Sequence, residues 1–106
     1  MGIHKGTYKN FPYEIRIGNF VCAYIKIPQW HKYYHTHYEN IKDIACPGGL
    51  TYSGRLHCNL NEWYLGFDYN HPYFDKVFNL CFEDEKQGVK RIQVDIFYMI
   101  ERLLEK

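Results

Sequence analysis

Near its C-terminal end the chain repeats apolar residues at intervals of three and four: Val89, Ile92, Ile96, Met99, Ile100 and Leu103. That period places them on one stripe of an α-helix, with Lys90, Arg91, Asp95, Glu101 and Arg102 on the other side. Phe97 and Leu104 broaden the stripe. A one-sided helix must bury that stripe against something, and this limits the folds open to the rest of the chain. The acidic run Glu83-Asp84-Glu85 suits a helix N-terminus, so the helix can begin upstream of Val89.

The matching surface is readable upstream, where the period drops to two. The segment FPYEIRI-GN-FVCAYIKI pairs two apolar runs across Gly18-Asn19, a two-residue hairpin signal. A two-residue turn sets Ile17 against Phe20, Ile15 against Cys22 and Tyr13 against Tyr24, all on the core face. Glu14 and Arg16 then face Ala23 and Val21 on the reverse. With Val21, Ala23, Ile25 and Ile27 on that reverse, the second strand reads as interior and the first as an edge. Pro47-Gly48-Gly49 introduces a short strand, LTYS, and NEWYLGFDY reads as another, alternating Trp63, Leu65 and Phe67 with Tyr64, Gly66 and Asp68. RLHCNLN and NHPYFDKVFNLCFEDEKQG read as connectors, residues 1–10 as a loosely ordered lead-in, and residues 28–46 as an irregular loop with a short helical turn. The fold expected is α+β: one domain over 1–106, a small antiparallel sheet of three to five strands packed against the C-terminal helix.

Composition narrows the function classes. Thirteen basic against twelve acidic residues leave a net charge of +1, which does not point to direct nucleic-acid binding. No run approaches the roughly 18 apolar residues of a membrane span. The N-terminal MGIHKGTYKN has no apolar core of a secretory signal, so a cytoplasmic protein is expected. Cys22, Cys46, Cys58 and Cys81 contain no Cys-x-x-Cys pair and read as reduced thiols. Eleven tyrosines in 106 residues are another matter: tyrosine supplies apolar area with a polar tip, suited to contact surfaces.

Three constellations could carry chemistry. His31-x-x-x-His35-x-His37 would set two imidazoles on one face of a helical turn, as a metal pair requires, but the spacing matches no zinc signature. Asp68 and His71 end a strand three residues apart, where a carboxylate could orient an imidazole or simply cap the turn. His57 and Cys58 are adjacent and point apart on an extended chain, so they do not make a nucleophile pair. No phosphate-binding loop or serine elbow surrounds PGGLTYSG.

The order of motifs resembles a family of small proteins encoded by bacteriophages and prophages. The counterparts are FVCAYIKIP with His31, then PGGLTYSG, then EWYLGFDYNH, then the helix from Val89, together spanning about residues 18 to 105. Pro47 stands where the family usually has a histidine, and Pro72-Tyr73 where it has Gly-Asp. The resemblance implies a phage or mobile-element origin in a bacterial host. Small accessory proteins of that origin often block host defences, including CRISPR effectors and nucleotide-signalling systems.

The function expected is therefore a non-catalytic binding protein, anti-CRISPR-like, that occupies the surface of a host or defence protein. No cofactor or metal is called for. The contact residues expected are Trp30, His31, Tyr33, Tyr34, His35 and His37 of the loop, presented as exposed rings because Tyr and Trp dominate binding hot spots, with Tyr52 and Asp68 beside them. The alternatives are a metal-dependent hydrolase or nuclease using His31, Asp68 and His71, and a sponge for a nucleotide signal.

Overall fold

A computed structural model describes residues 2–70 and 75–106. In chain order the elements are β1 (Gly2–Tyr8), β2 (Phe11–Ile17), β3 (Val21–Lys26), a 3-10 turn (Tyr38–Asn40), β4 (Tyr52–Gly54), β5 (Tyr64–Asp68), α1 (Asp75–Glu83) and α2 (Glu85–Leu104). The five strands form one antiparallel sheet in the order β1-β2-β3-β5-β4. The architecture is α+β, with the long C-terminal helix on one face of the sheet. None of its described helices is long and apolar enough to cross a membrane.

The helix forms as its stripe requires. Ile92, Ile96, Met99, Ile100 and Leu103 are fully buried, and each such side chain contributes about 1.5–3 kcal/mol relative to remaining in water. They pack against Ile15, Ile17, Ala23, Ile25, Leu65 and Phe67 from the three central strands. The helix starts at Glu85 because Asp84 caps it, its side chain accepting from the Gln87 amide at 3.3 Å. Of the acidic run, Asp84 is the cap and Glu85 opens the first turn, while Glu83 ends α1.

The hairpin register differs from the one a Gly-Asn turn implies. Ile17 pairs with Val21, Ile15 with Ala23 and Tyr13 with Ile25, across a three-residue loop in which the Gly18 amide donates to the Phe20 carbonyl at 2.9 Å. Phe20 is left outside the ladder, 53% exposed. A slip of one residue turns a whole strand over. The two-residue register would have buried Cys22, Tyr24 and Lys26 and exposed four aliphatic side chains. The observed one buries Val21, Ala23, Ile25 and Ile27 instead, and that apolar area outweighs the local preference of Gly-Asn.

Residues 1–10 are not a loose lead-in over the described part: Gly2–Tyr8 is a full edge strand, so β2 is interior. It turns into β2 through Lys9 and Asn10, both with left-handed backbone (φ 48° and 68°), the signature of a two-residue primed turn. Lysine rarely adopts that conformation, which hid the hairpin. Tyr8 stacks on Phe97 at 4.2 Å and donates to Glu101 at 2.8 Å, while Lys9 reaches the same carboxylate at 2.5 Å, so the turn is strapped to α2.

The segment 75–83, expected as connector, is helix α1, which buries Val77 and Cys81. Val77, Phe78, Leu80, Cys81 and Phe82 crowd the segment with apolar residues, and nine residues span too few turns to display a period. β4 and β5 are shorter and shifted relative to LTYS and NEWYLGFDY. Cys46-Pro47-Gly48-Gly49 makes a turn in which the Gly49 amide donates to the Cys46 carbonyl at 3.0 Å. Gly48 (φ 70°) follows proline, the residue pattern of a type II turn, and only glycine takes that position without strain.

Candidate functional site

The 28–46 loop is held by its own inward side chains. Pro28 ends the run of β3, and successive turns close between His31 and Pro28, Tyr34 and His31, and Thr36 and Tyr33, each with a 3.0 Å bond. His31 is buried, 5% exposed, against Phe11 and Tyr33. Its Nε2 lies 2.7 Å from the Leu103 carbonyl at the end of α2, and its Nδ1 accepts from the Tyr33 amide at 3.0 Å. The ring is therefore the Nε2–H tautomer, with both nitrogens engaged. Tyr33 is also buried and donates to Asp43, whose other oxygen meets Lys106 Nζ at 3.1 Å. Burial, with the Asp43 bond added, pushes the Tyr33 hydroxyl up to about 12; the Tyr33 bond and then Lys106 hold Asp43 below the ordinary carboxylate range. Ile41 and Ile44 complete the anchoring.

This corrects the expectation for two residues: His31 and Tyr33 are not exposed contact groups. They pin the loop to the helix. Alternate side chains of such a loop must point in if the rest are to be displayed, and the sequence does not say which.

The exposed set is Trp30, His35 and His37; Tyr34, also expected as an exposed ring, is half-buried against the core. Trp30 is 74% exposed, its ring edge-on to Phe11. Tyr34 and His35 stack at 4.0 Å, and His35 meets Trp63 edge-on at 5.2 Å. Tyr34 Oη donates to the Asn61 carbonyl at 3.0 Å, which ties this loop to the segment before β5 and brings in Leu60, itself 74% exposed. His35 holds a left-handed backbone (φ 62°), uncommon for a residue with a side chain and imposed here by the turn. His37 caps the 3-10 turn, accepting from the Glu39 amide at 3.3 Å, and stacks on Tyr38. Trp63 and Leu60 were missed as members of this surface. Trp63 alternates with Leu65 and Phe67 and so reads as core; it is half-buried, and its indole N–H has no acceptor among the described residues.

Tyr52 and Asp68 lie elsewhere, on the sheet face that no helix covers. Tyr52 is edge-on to Tyr24 at 5.3 Å, and Tyr24 lies over Gly66, where an added Cβ would sit 2.6 Å from its ring. Burial pushes the Tyr24 hydroxyl up to about 12. Asp68 accepts from Thr51 Oγ1 at 2.9 Å and from the Asn70 amide at 3.1 Å, closing the strand end as a capping aspartate does. His31 and Asp68 therefore occupy opposite faces of the sheet and cannot share a metal; His71 lies outside the described residues. Among the described residues no three His, Cys, Asp or Glu side chains are grouped as metal ligands.

The same open face holds a second cluster. Glu14, only 3% exposed at its side chain, bonds Arg16 Nε through one oxygen. Its other oxygen faces His57 Nε2 at 3.3 Å and Lys5 Nζ at 3.9 Å. His57 is brought there because buried Glu62 accepts from the Leu56 amide at 3.1 Å and from the His57 amide, folding the 55–62 segment back over the strands. The Glu14-x-Arg16 alternation was visible in the sequence; the convergence of Lys5 and His57 on it was not.

The thiols divide by burial. Burial raises Cys22, Cys81 and, to about 12, Cys46, which suppresses thiolate; Cys58 alone among the four is exposed. Compared with known protein families, curated proteins and solved structures, the chain finds no match in any of the three.

Proposed function

We propose that this chain is a binding protein that works by occupying a partner's surface, without chemistry of its own. The observation that carries the reading is the division of labour in the 28–46 loop. His31, Tyr33, Ile41 and Ile44 lock it inward, while Trp30, His35 and His37 are exposed, with half-buried Tyr34 stacked on His35 and His35 edge-on to Trp63. Rings fixed in place lose little conformational entropy on docking, so a preorganised aromatic surface favours association. The resemblance to small phage and prophage proteins supports a narrower reading: the partner is a host-defence protein, such as a CRISPR effector, met in the bacterial cytoplasm.

The test is a plating assay. Expressed in a host whose CRISPR effector targets an infecting phage, the protein is expected to restore plaques. Trp30→Ala and His35→Ala should each weaken that protection while leaving the melting temperature within a degree or two. Protection lost only in variants that also unfold would remove the contact-surface reading. A wild-type protein that restores no plaques against a panel of effectors would remove the CRISPR one.

A further inference from the structure

The open face of the sheet contains a cavity of about 320 Å³ lined by Lys5, Thr7, Glu14, His57 and Tyr64, among others. It stands apart from the aromatic loop surface, and neither the fold nor the contact reading accounts for its charge. We propose that it is an anion site, built to take a tetrahedral phosphate group, free or as a monoester.

Among the described residues Glu14 is the one carboxylate lining the cavity, and its side chain is 3% exposed. The cations gathered around it are outside it: Lys5 is 66% exposed, His57 42% and Arg16 37% at their side chains. Lys5 and Arg16 balance two buried carboxylates, Glu14 and the Glu62 that accepts from the His57 amide, so what sets the charge a ligand meets is which groups are exposed. The accessible charge is therefore positive, and the carboxylate sits behind it. A cationic ligand would have to displace the groups that cover Glu14; an anionic one meets them directly.

Glu14 has a structural part in this. A buried carboxylate with no partner is strongly unfavourable, so it draws cations in and fixes where they stand. Arg16 is spent on it, with its Nε bonded to Glu14 and its guanidinium 5.5 Å from the Tyr24 ring centre. That matters for ligand class. The planar guanidinium fork is the group that best matches a carboxylate, and it is engaged. What remains is Lys5, a compact charge on a flexible stem with its Nζ at a loose 3.9 Å from Glu14, and three side chains of donor type on different elements. These are His57 from the 55–62 segment, whose Nε2 faces Glu14, with Tyr64 from β5 and Thr7 from β1 lining the wall. Donors spread around a cavity, rather than paired in a plane, suit a tetrahedral oxyanion. Tyr64 stands edge-on to His57 at 6.1 Å, so two rings also border the cavity where the ester group of a monoester would lie.

The experiment is an NMR titration of the whole protein at low ionic strength with three probes: inorganic phosphate, adenosine 5′-monophosphate and acetate. Saturable amide shifts are expected at Lys5, Thr7, Glu14, His57 and Tyr64 with both phosphates. Acetate should bind clearly more weakly. Lys5→Ala and His57→Ala change exposed groups, so they should fold normally, and each should weaken phosphate binding about tenfold, as removal of one charged hydrogen bond does. Lys90→Ala, an exposed cation on α2, controls for net charge and should change nothing. Tighter binding of the nucleotide would assign the monoester, and equal binding the free anion. The proposal is overturned if neither phosphate saturates, if acetate binds as well, or if Lys90→Ala weakens binding as much as Lys5→Ala.

Discussion

His31 offers the sharpest test of how this structure works, because the sequence marks it for a metal or a partner and the fold uses it as a rivet. Replacing it with alanine removes the acceptor for the Tyr33 amide and the bond to the Leu103 carbonyl. Leu103 O keeps other partners, since the Glu105 and Lys106 amides both reach it. The Tyr33 amide is left with none inside a buried site, a loss of about 1–3 kcal/mol. Loss of the ring's packing against Phe11 and Tyr33 adds about 0.5–1.5 kcal/mol. His31→Ala should therefore lower unfolding stability by about 1.5–4.5 kcal/mol. His31→Asn should cost less, because its amide oxygen can stand near the position of Nδ1 and still accept from Tyr33. Urea unfolding followed by tryptophan fluorescence measures both, since Trp30 adjoins His31. A His31→Ala protein within 0.5 kcal/mol of wild type would refute the rivet. So would purified wild-type protein holding stoichiometric metal that His31→Ala loses with its stability intact.

Other consequences are as direct. Gly88 lies against α1 so closely that an added Cβ would sit 2.7 Å from Cys81 Cα and 2.9 Å from its nitrogen. Those are backbone atoms that cannot swing aside. Gly88→Ala gains about 1 kcal/mol of helix propensity but loses roughly 1–3 kcal/mol or more to overpacking; the melting temperature should fall, and a rise would contradict the close approach. In the native protein Cys58 should react with Ellman's reagent far faster than the other thiols, and Cys58→Ser should abolish the fast phase. The carboxylates of Glu101 and Asp43 are both held below the ordinary range, Glu101 by the Lys9 bond first and Tyr8 second, Asp43 by Tyr33 first. A lowered folded pKa means the unfolded chain binds protons first as pH drops. Their stabilisation is thus complete above the unfolded values of about 4 and is lost as pH falls through the folded ones. Glu101→Gln should flatten the decline in melting temperature between pH 5 and 3; an unchanged slope would argue against the strap.

Local chemistry determined a good deal of this protein by itself. The three-and-four spacing from Val89 to Leu103 specifies a one-sided helix, period-two runs such as YEIRI and VCAYIKI specify strands, and together they require a helix on an antiparallel sheet. Pro47-Gly48-Gly49 specifies a turn and Asp84 a helix cap, because these depend on residues a few positions apart. What the sequence alone could not decide was anything set by competition between distant segments. The Gly18-Asn19 signal favoured one register, and the apolar area of Val21, Ala23, Ile25 and Ile27 selected another. Gly2–Tyr8 has little strand character of its own and becomes a strand because β2 offers it an edge and Glu101 holds its turn. In the loop, composition announced an aromatic surface, yet only packing against Phe11 and the end of α2 determined that His31 and Tyr33 turn inward while Trp30 and His35 turn out. The charged cavity at Glu14 is the extreme case. Lys5, Glu14, His57 and Tyr64 come from four separate stretches of chain, and what unites them is strand order, a product of the whole core rather than of any one segment.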